Sequence, residues 1–66
     1  MKEIYWFAEI RKTNYGSFKV KDFDRIARGK TEAKKIAKQL LKKVRKGNSV
    51  GIFNSKYELV GSIKKR

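Results

Sequence analysis

Cysteine and histidine are both absent from this 66-residue chain. Without cysteine there can be no disulfide, thiolate metal site or thiol nucleophile, and that absence suits a reducing compartment. Without histidine the commonest metal ligand and the commonest general acid–base group are missing. The serines, threonines and tyrosines therefore have no base of the usual kind to activate them, and the expectation is a protein that is not an enzyme, with no metal and no cofactor. Proline is absent too, and no repeat or low-complexity stretch divides the chain into modules. No apolar run approaches the roughly 18 residues that a membrane span requires. The opening "MKEIYWFAEI" carries Glu3 and Glu9 and lacks the unbroken apolar core of a signal peptide, so a cytoplasmic location is expected.

Acidic residues are the next scarcity: six aspartates and glutamates face nineteen lysines and arginines, a net charge of +13 on 7.7 kDa. A domain so basic attracts polyanions and repels its own copies. The excess is uneven. Residues 1–24 are nearly neutral, whereas from Arg25 onward fourteen bases face only Glu32 and Glu58. Arginine occurs only at 11, 25, 28, 45 and 66. Lysine acts as a mobile point charge where arginine makes planar, bidentate contacts, so the bias favours binding a phosphate backbone over reading bases. It also suits a small bacterial or bacteriophage protein from an A·T-rich genome.

Hydropathy along the chain gives two strands, a helix and two more strands. In "KEIYWFAEIRK" Ile4, Trp6, Ala8 and Ile10 alternate with Tyr5, Phe7, Glu9 and Arg11, which is the period of a strand. "TNYGS" supplies turn residues, and "FKVKDF" resumes the alternation with Phe18 and Val20 opposite Lys19 and Lys21, giving a hairpin. "SVGIF" and "YELVGSI", joined by "NSK", form a second hairpin with Ile52, Leu59 and Ile63 inward. Between the hairpins, "TEAKKIAKQLLKKVRKGN" predicts one amphipathic helix over Thr31–Asn48. At about 100° per residue, Ala33, Ile36, Ala37, Leu40, Leu41 and Val44 share an arc of roughly 140°. Thr31 is the expected N-cap, Glu32 suits the positive end of the dipole, and Gly47-Asn48 tolerates a left-handed stop. The fold class is α+β: one domain over residues 1–63, β-β-α-β-β, with a single helix on one face of a small, mainly antiparallel sheet. Residues 64–66 are expected to fray as a basic tail.

The outward helix face carries Lys34, Lys35, Lys38, Lys42, Lys43, Arg45 and Lys46 with no interleaved acid past Glu32. A merely solvated helix usually places glutamates four residues from its lysines, and unrelieved like charges cost a few tenths of a kcal/mol per near pair. Lys30, in "RGK" at the helix entrance, adds one more phosphate contact by proximity to free N–H groups, although the glycine pattern is not that of a P-loop. One helix covers one sheet face. Strand parity assigns Ile4, Trp6, Ile10, Phe18 and Val20 to that covered face. The open face then receives Tyr5 and Phe7 beside Lys19 and Lys21, where the rings either stack on bases or simply shield the sheet. Asp22 and Asp24 could hold Mg²⁺ as a pair, but Lys21 and Arg25 beside them neutralise them more readily.

There is no helix-turn-helix pair, zinc-finger spacing, aromatic signature of the RNA-recognition motif or GxxG of a KH domain, and no helix at each end as a double-stranded-RNA-binding domain needs. The primary expectation is a non-enzymatic nucleic-acid-binding domain, DNA or RNA, with weak sequence preference. The alternative is a regulatory module that docks on an acidic protein through the open sheet face or a β edge. A membrane role is disfavoured because Ala33 and Ala37 make the apolar stripe shallow. The chain is read as a monomer, or as a homodimer joined through its sheet.

Overall fold

The computed structural model describes residues 3–65. β1 (Ile4–Thr13) and β2 (Gly16–Arg28) form a long hairpin, α1 (Lys30–Leu40) and a 3-10 turn (Leu41–Lys43) follow, and β3 (Ser49–Phe53) and β4 (Leu59–Lys64) form a second, shorter hairpin. The four strands make one sheet in the order β2-β1-β3-β4, with every neighbouring pair antiparallel. β2 and β3 therefore run parallel on either side of β1, and α1 is the crossover between them, a split β-α-β arrangement. The β-β-α-β-β reading of the sequence is the observed order. β2 extends further than "FKVKDF", because "DFDRIAR" is strand and not a lead into the helix.

The helix packs on the face of β1 opposite to the one that the alternation suggested. Tyr5 and Phe7 are buried there with Ala27 of β2, Ala33, Ile36, Ala37 and Leu40 of α1, Val44, and Val50 and Ile52 of β3. Trp6, the expected core aromatic, is 39% exposed on the other face, and Phe18, Val20 and Leu59 are exposed as well. Ile63 and Ile52 do face the helix side. The reason lies in Glu9. A glutamate in a strand argues for water, but Glu9 is 5% exposed on the helix side, where its carboxylate accepts from the Asn48 side-chain amide at 2.6 Å and the Arg45 N–H at 3.4 Å. Those donors belong to the connection leaving the helix, so the acid ties β1 to the route from α1 into β3.

Both ends of α1 differ from the sequence reading. Thr31 is not the cap: Gly29 holds that position at φ 93, its N–H donates to the Glu3 carbonyl at 2.9 Å, and the Glu32 carboxylate accepts from the Arg28 N–H at 3.3 Å. Only glycine adopts that backbone geometry without strain. At the other end the α-helix stops at Leu40, and Val44 is already extended at φ −92 and ψ 146. Lys42, Lys43, Arg45 and Lys46 thus lie beyond the α-helix. The carbonyls left without helical partners at such an end need donors, and the Lys65 ammonium supplies them, donating to the Val44 carbonyl at 2.8 Å and the Lys42 carbonyl at 3.2 Å. The expected basic tail is accordingly not frayed at its start: Lys64 belongs to β4 and the Lys65 N–H donates to the Asn48 carbonyl at 2.9 Å. Arg66 lies outside the described residues.

The reversed parity has a direct energetic consequence. Phe7→Ala should cost about 3–5 kcal/mol, as emptying a fully buried aromatic site does, while Trp6→Ala should cost less than half of that. Urea unfolding followed by circular dichroism separates the two, and the opposite ranking would restore the sequence-based parity.

Candidate nucleic-acid interface

α1 places its charged residues by helical geometry alone. With Ala33, Ile36, Ala37 and Leu40 turned to the sheet, Lys34, Lys35 and Lys38 are forced outward and exposed. Lys30, Lys34 and Lys38 recur every fourth residue, so their side chains form a ridge with neighbouring Cβ atoms about 5–6 Å apart. Lys30, Thr31, Lys34, Lys35 and Lys38 line one shallow depression of about 430 Å³ on this outer face. Lys42 and Lys43 on the 3-10 turn, then Arg45 and Lys46 on the loop, continue the exposed charge past the end of the helix. None of these eight bases has a carboxylate within ion-pair distance among the described residues, where the one ion pair is Lys19–Asp22. Glu32, the single acid of the segment, is turned back to the Arg28 N–H and does not shield them.

The other four expected contact residues do not join this surface. Tyr5 and Phe7 are 4% and 2% exposed and cannot present a ring to a base. The Tyr5 hydroxyl donates to the Glu3 carboxylate at 2.7 Å, and that acceptor, followed by burial, raises the phenol above its ordinary pKa. Lys19 and Lys21 are separated by a register shift that makes Lys21 pair with Glu9 and Lys19 with Ile10, the intervening Val20 being the extra residue. They consequently fall on opposite sides of the sheet. Lys21 sits on the helix side with its ammonium 6.0 Å from the Phe23 ring centre, and Lys19 on the open side is paired with Asp22 at 3.2 Å. Asp22 and Asp24 have no third potential metal ligand beside them among the described residues.

An open sheet face does exist, built from residues that the alternation had placed in the core. Ile10 is buried there, beneath a close approach that Gly51 permits: a Cβ at Gly51 would meet Ile10 and Phe53 side-chain carbons at 3.1 Å and Leu59 at 3.2 Å. Around that floor runs a groove of about 680 Å³, lined by Trp6, Phe53, Tyr57, Leu59, Asp22 and Asp24 among others. Tyr57 reaches it from the β3–β4 turn and stacks on Trp6, the ring centres 6.2 Å apart and the planes 24° from parallel. The sequence hides this pairing, because Tyr57 lies in a turn and its position depends on a backbone conformation that no periodicity signals. No helix among the described residues is long and apolar enough to cross a membrane. No known protein family, curated protein or solved structure matches the chain.

Tyr5 offers a check on the buried side of β1. In Glu3→Gln the carboxylate that holds the phenolic proton is gone, so the Tyr5 pKa should fall back toward the ordinary tyrosine range. Ultraviolet titration of the wild type and the variant reads this as an earlier onset of tyrosinate absorbance, and superimposable curves would contradict the Tyr5–Glu3 contact.

Proposed function

We propose that this chain is a non-enzymatic nucleic-acid-binding domain that grips the phosphate backbone through the outer face of α1 and the loop after it, with weak sequence preference. The observation that carries the reading is the run of eight exposed bases, Lys30 to Lys46, with no carboxylate partner among the described residues. Like charges this dense repel one another by a few tenths of a kcal/mol per near pair. A polyanion converts that cost into affinity, because each phosphate neutralised by a lysine releases condensed counterions. Lysine supplies seven of the eight charges, so the contact is one of point charges with backbone phosphates and not of planar forks with base edges. Lys30, Lys34 and Lys38 on the ridge are the first contacts, Lys35, Lys42 and Lys43 flank them, and Arg45 and Lys46 extend the surface along the strand.

Electrostatic binding of this kind has a measurable slope. If about five phosphates are neutralised, log K on duplex DNA should fall against log[salt] with a slope near −4.5. A mobility-shift titration at several salt concentrations measures it, with an acidic protein as the control partner. A flat dependence with retained affinity, or tighter capture of the acidic protein than of nucleic acid, would move the function to protein docking.

The ridge can also be reversed without touching the core. Lys34→Glu with Lys38→Glu should lower nucleic-acid affinity at least about tenfold and leave the circular dichroism spectrum unchanged, since both side chains point away from the sheet. Affinity equal to the wild type would place the contact elsewhere.

A further inference from the structure

We propose that the sheet face opposite α1 carries a second site, which takes a single arginine guanidinium presented by a partner protein. The groove there has aromatic walls and a rim of Asp24 beside the Lys19–Asp22 pair, a net negative edge in a chain whose net charge is +13. Trp6 and Tyr57 expose 39% and 73% of their surfaces, and their stack leaves ring faces open to the groove. Five of the six carboxylates are engaged: Glu3 by Tyr5, Glu9 by Asn48, Asp22 by Lys19, Glu32 by the Arg28 N–H and Glu58 by Asn54. Asp24 alone has neither a hydrogen bond nor an ion pair among the described residues, and it lines the groove. It is put there by a bulge, since Phe7 pairs with Phe23 and Trp6 with Ile26, leaving Asp24 and Arg25 unmatched. Bulges of this kind re-aim side chains and are common beside functional sites.

Tyr57 is the second built feature. It is the one non-glycine residue with positive φ among those described, at 63°. For an aromatic side chain that left-handed conformation is strained. The turn is held to it by Asn54, whose side-chain oxygen accepts the Lys56 and Glu58 N–H groups, both at 2.9 Å. The strain is the means by which a residue in a turn is laid against Trp6.

An arginine fits these parts better than other occupants. Its planar, weakly hydrated cation stacks on aromatic faces and offers parallel N–H groups to a carboxylate, where a lysine ammonium keeps more of its water. Nucleic acid would bring phosphates against the free carboxylate of Asp24, with Asp22 and Lys19 offsetting each other and the lysine ridge on the far side of the sheet. A second copy would bring +13 against +13. The volume of about 680 Å³ exceeds what one guanidinium fills and leaves room for the neighbouring residues of an extended segment.

Trp6 is the sole tryptophan, so its emission reports the groove directly. The probe is a capped five-residue peptide with arginine at its centre and glycine elsewhere, compared with the same peptide carrying lysine or the neutral isostere citrulline, and with oligothymidylate. The arginine peptide should change Trp6 emission saturably, in roughly the millimolar range that one stacked cation and one charge-assisted pair allow. Citrulline should bind at least about tenfold more weakly and lysine severalfold more weakly. Asp24→Asn, an isosteric change at an exposed position, should weaken the arginine peptide at least fivefold, and so should Tyr57→Gly, which relieves the backbone strain as it removes the ring. Lys34→Glu with Lys38→Glu should leave this signal unchanged, which separates the site from the nucleic-acid surface. Equal binding of citrulline and arginine, indifference to Asp24→Asn, or saturable quenching by oligothymidylate that is as strong in Asp24→Asn as in the wild type would each overturn the proposal.

Discussion

With hydrogen-bonded partners along both edges, β1 can neither slip nor turn over, and its orientation decides what every other element does. A shift by one residue would exchange its two faces entirely. One face sends Tyr5, Phe7 and Glu9 toward α1, and the other sends Trp6 and Ile10 into the groove. The choice is enforced at three points. Ala27, Ala33 and Ala37 are small enough for the helix to lie close over the two rings, Glu9 collects the donors of the chain leaving the helix, and Gly51 leaves space for Ile10 on the reverse side. Turning β1 over would leave the Asn48 amide and the Arg45 N–H without their acceptor and would set an indole where the alanines leave little room.

The element order was legible because it rests on local patterns that tertiary contacts did not need to override: alternation in β1, short β-rich runs in β3 and β4, and a stripe of Ala33, Ile36, Ala37 and Leu40 at helical spacing. The outward set of lysines followed from the same stripe. Face assignment was not legible, because β1 is apolar on both sides and the deciding residue, Glu9, is polar but buried. Bulges compounded the difficulty. Val20 and the Asp24–Arg25 pair break the period of β2 twice, so Lys19 and Lys21, two residues apart, end on opposite sides. The cap at Gly29 was missed for a related reason, since Thr31 has the better capping chemistry but the carbonyl of Glu3, far back in sequence, holds the Gly29 N–H.

The two faces of the sheet have opposite electrostatic character. Over one lies a helix whose outer surface is rich in lysine, and the other is an aromatic groove lined by Asp24, the one side-chain carboxylate without a partner among the described residues. Sheet and helix together measure 17 Å along the shortest axis. That exceeds the screening length of about 8 Å at physiological salt, so charges on opposite faces largely ignore each other. In a thin, two-layered domain of this kind the two proposed sites would take ligands of opposite sign without one displacing the other.

The placement of β1 at the middle of the sheet also governs how the chain reaches this state. β1 and β2 are adjacent in sequence and can zip together locally, but the Glu9–Asn48 bond joins positions 39 residues apart, and β3 can add only after that longer loop closes. Until then the hairpin presents the inner edge of β1 unpaired, with Tyr5 and Phe7 uncovered, which is the sort of edge that templates association between chains. Mutual repulsion between chains bearing +13 each keeps such hairpins apart during that interval. The lysines of the interposed segment thereby act as an internal guard against aggregation before the sheet is complete.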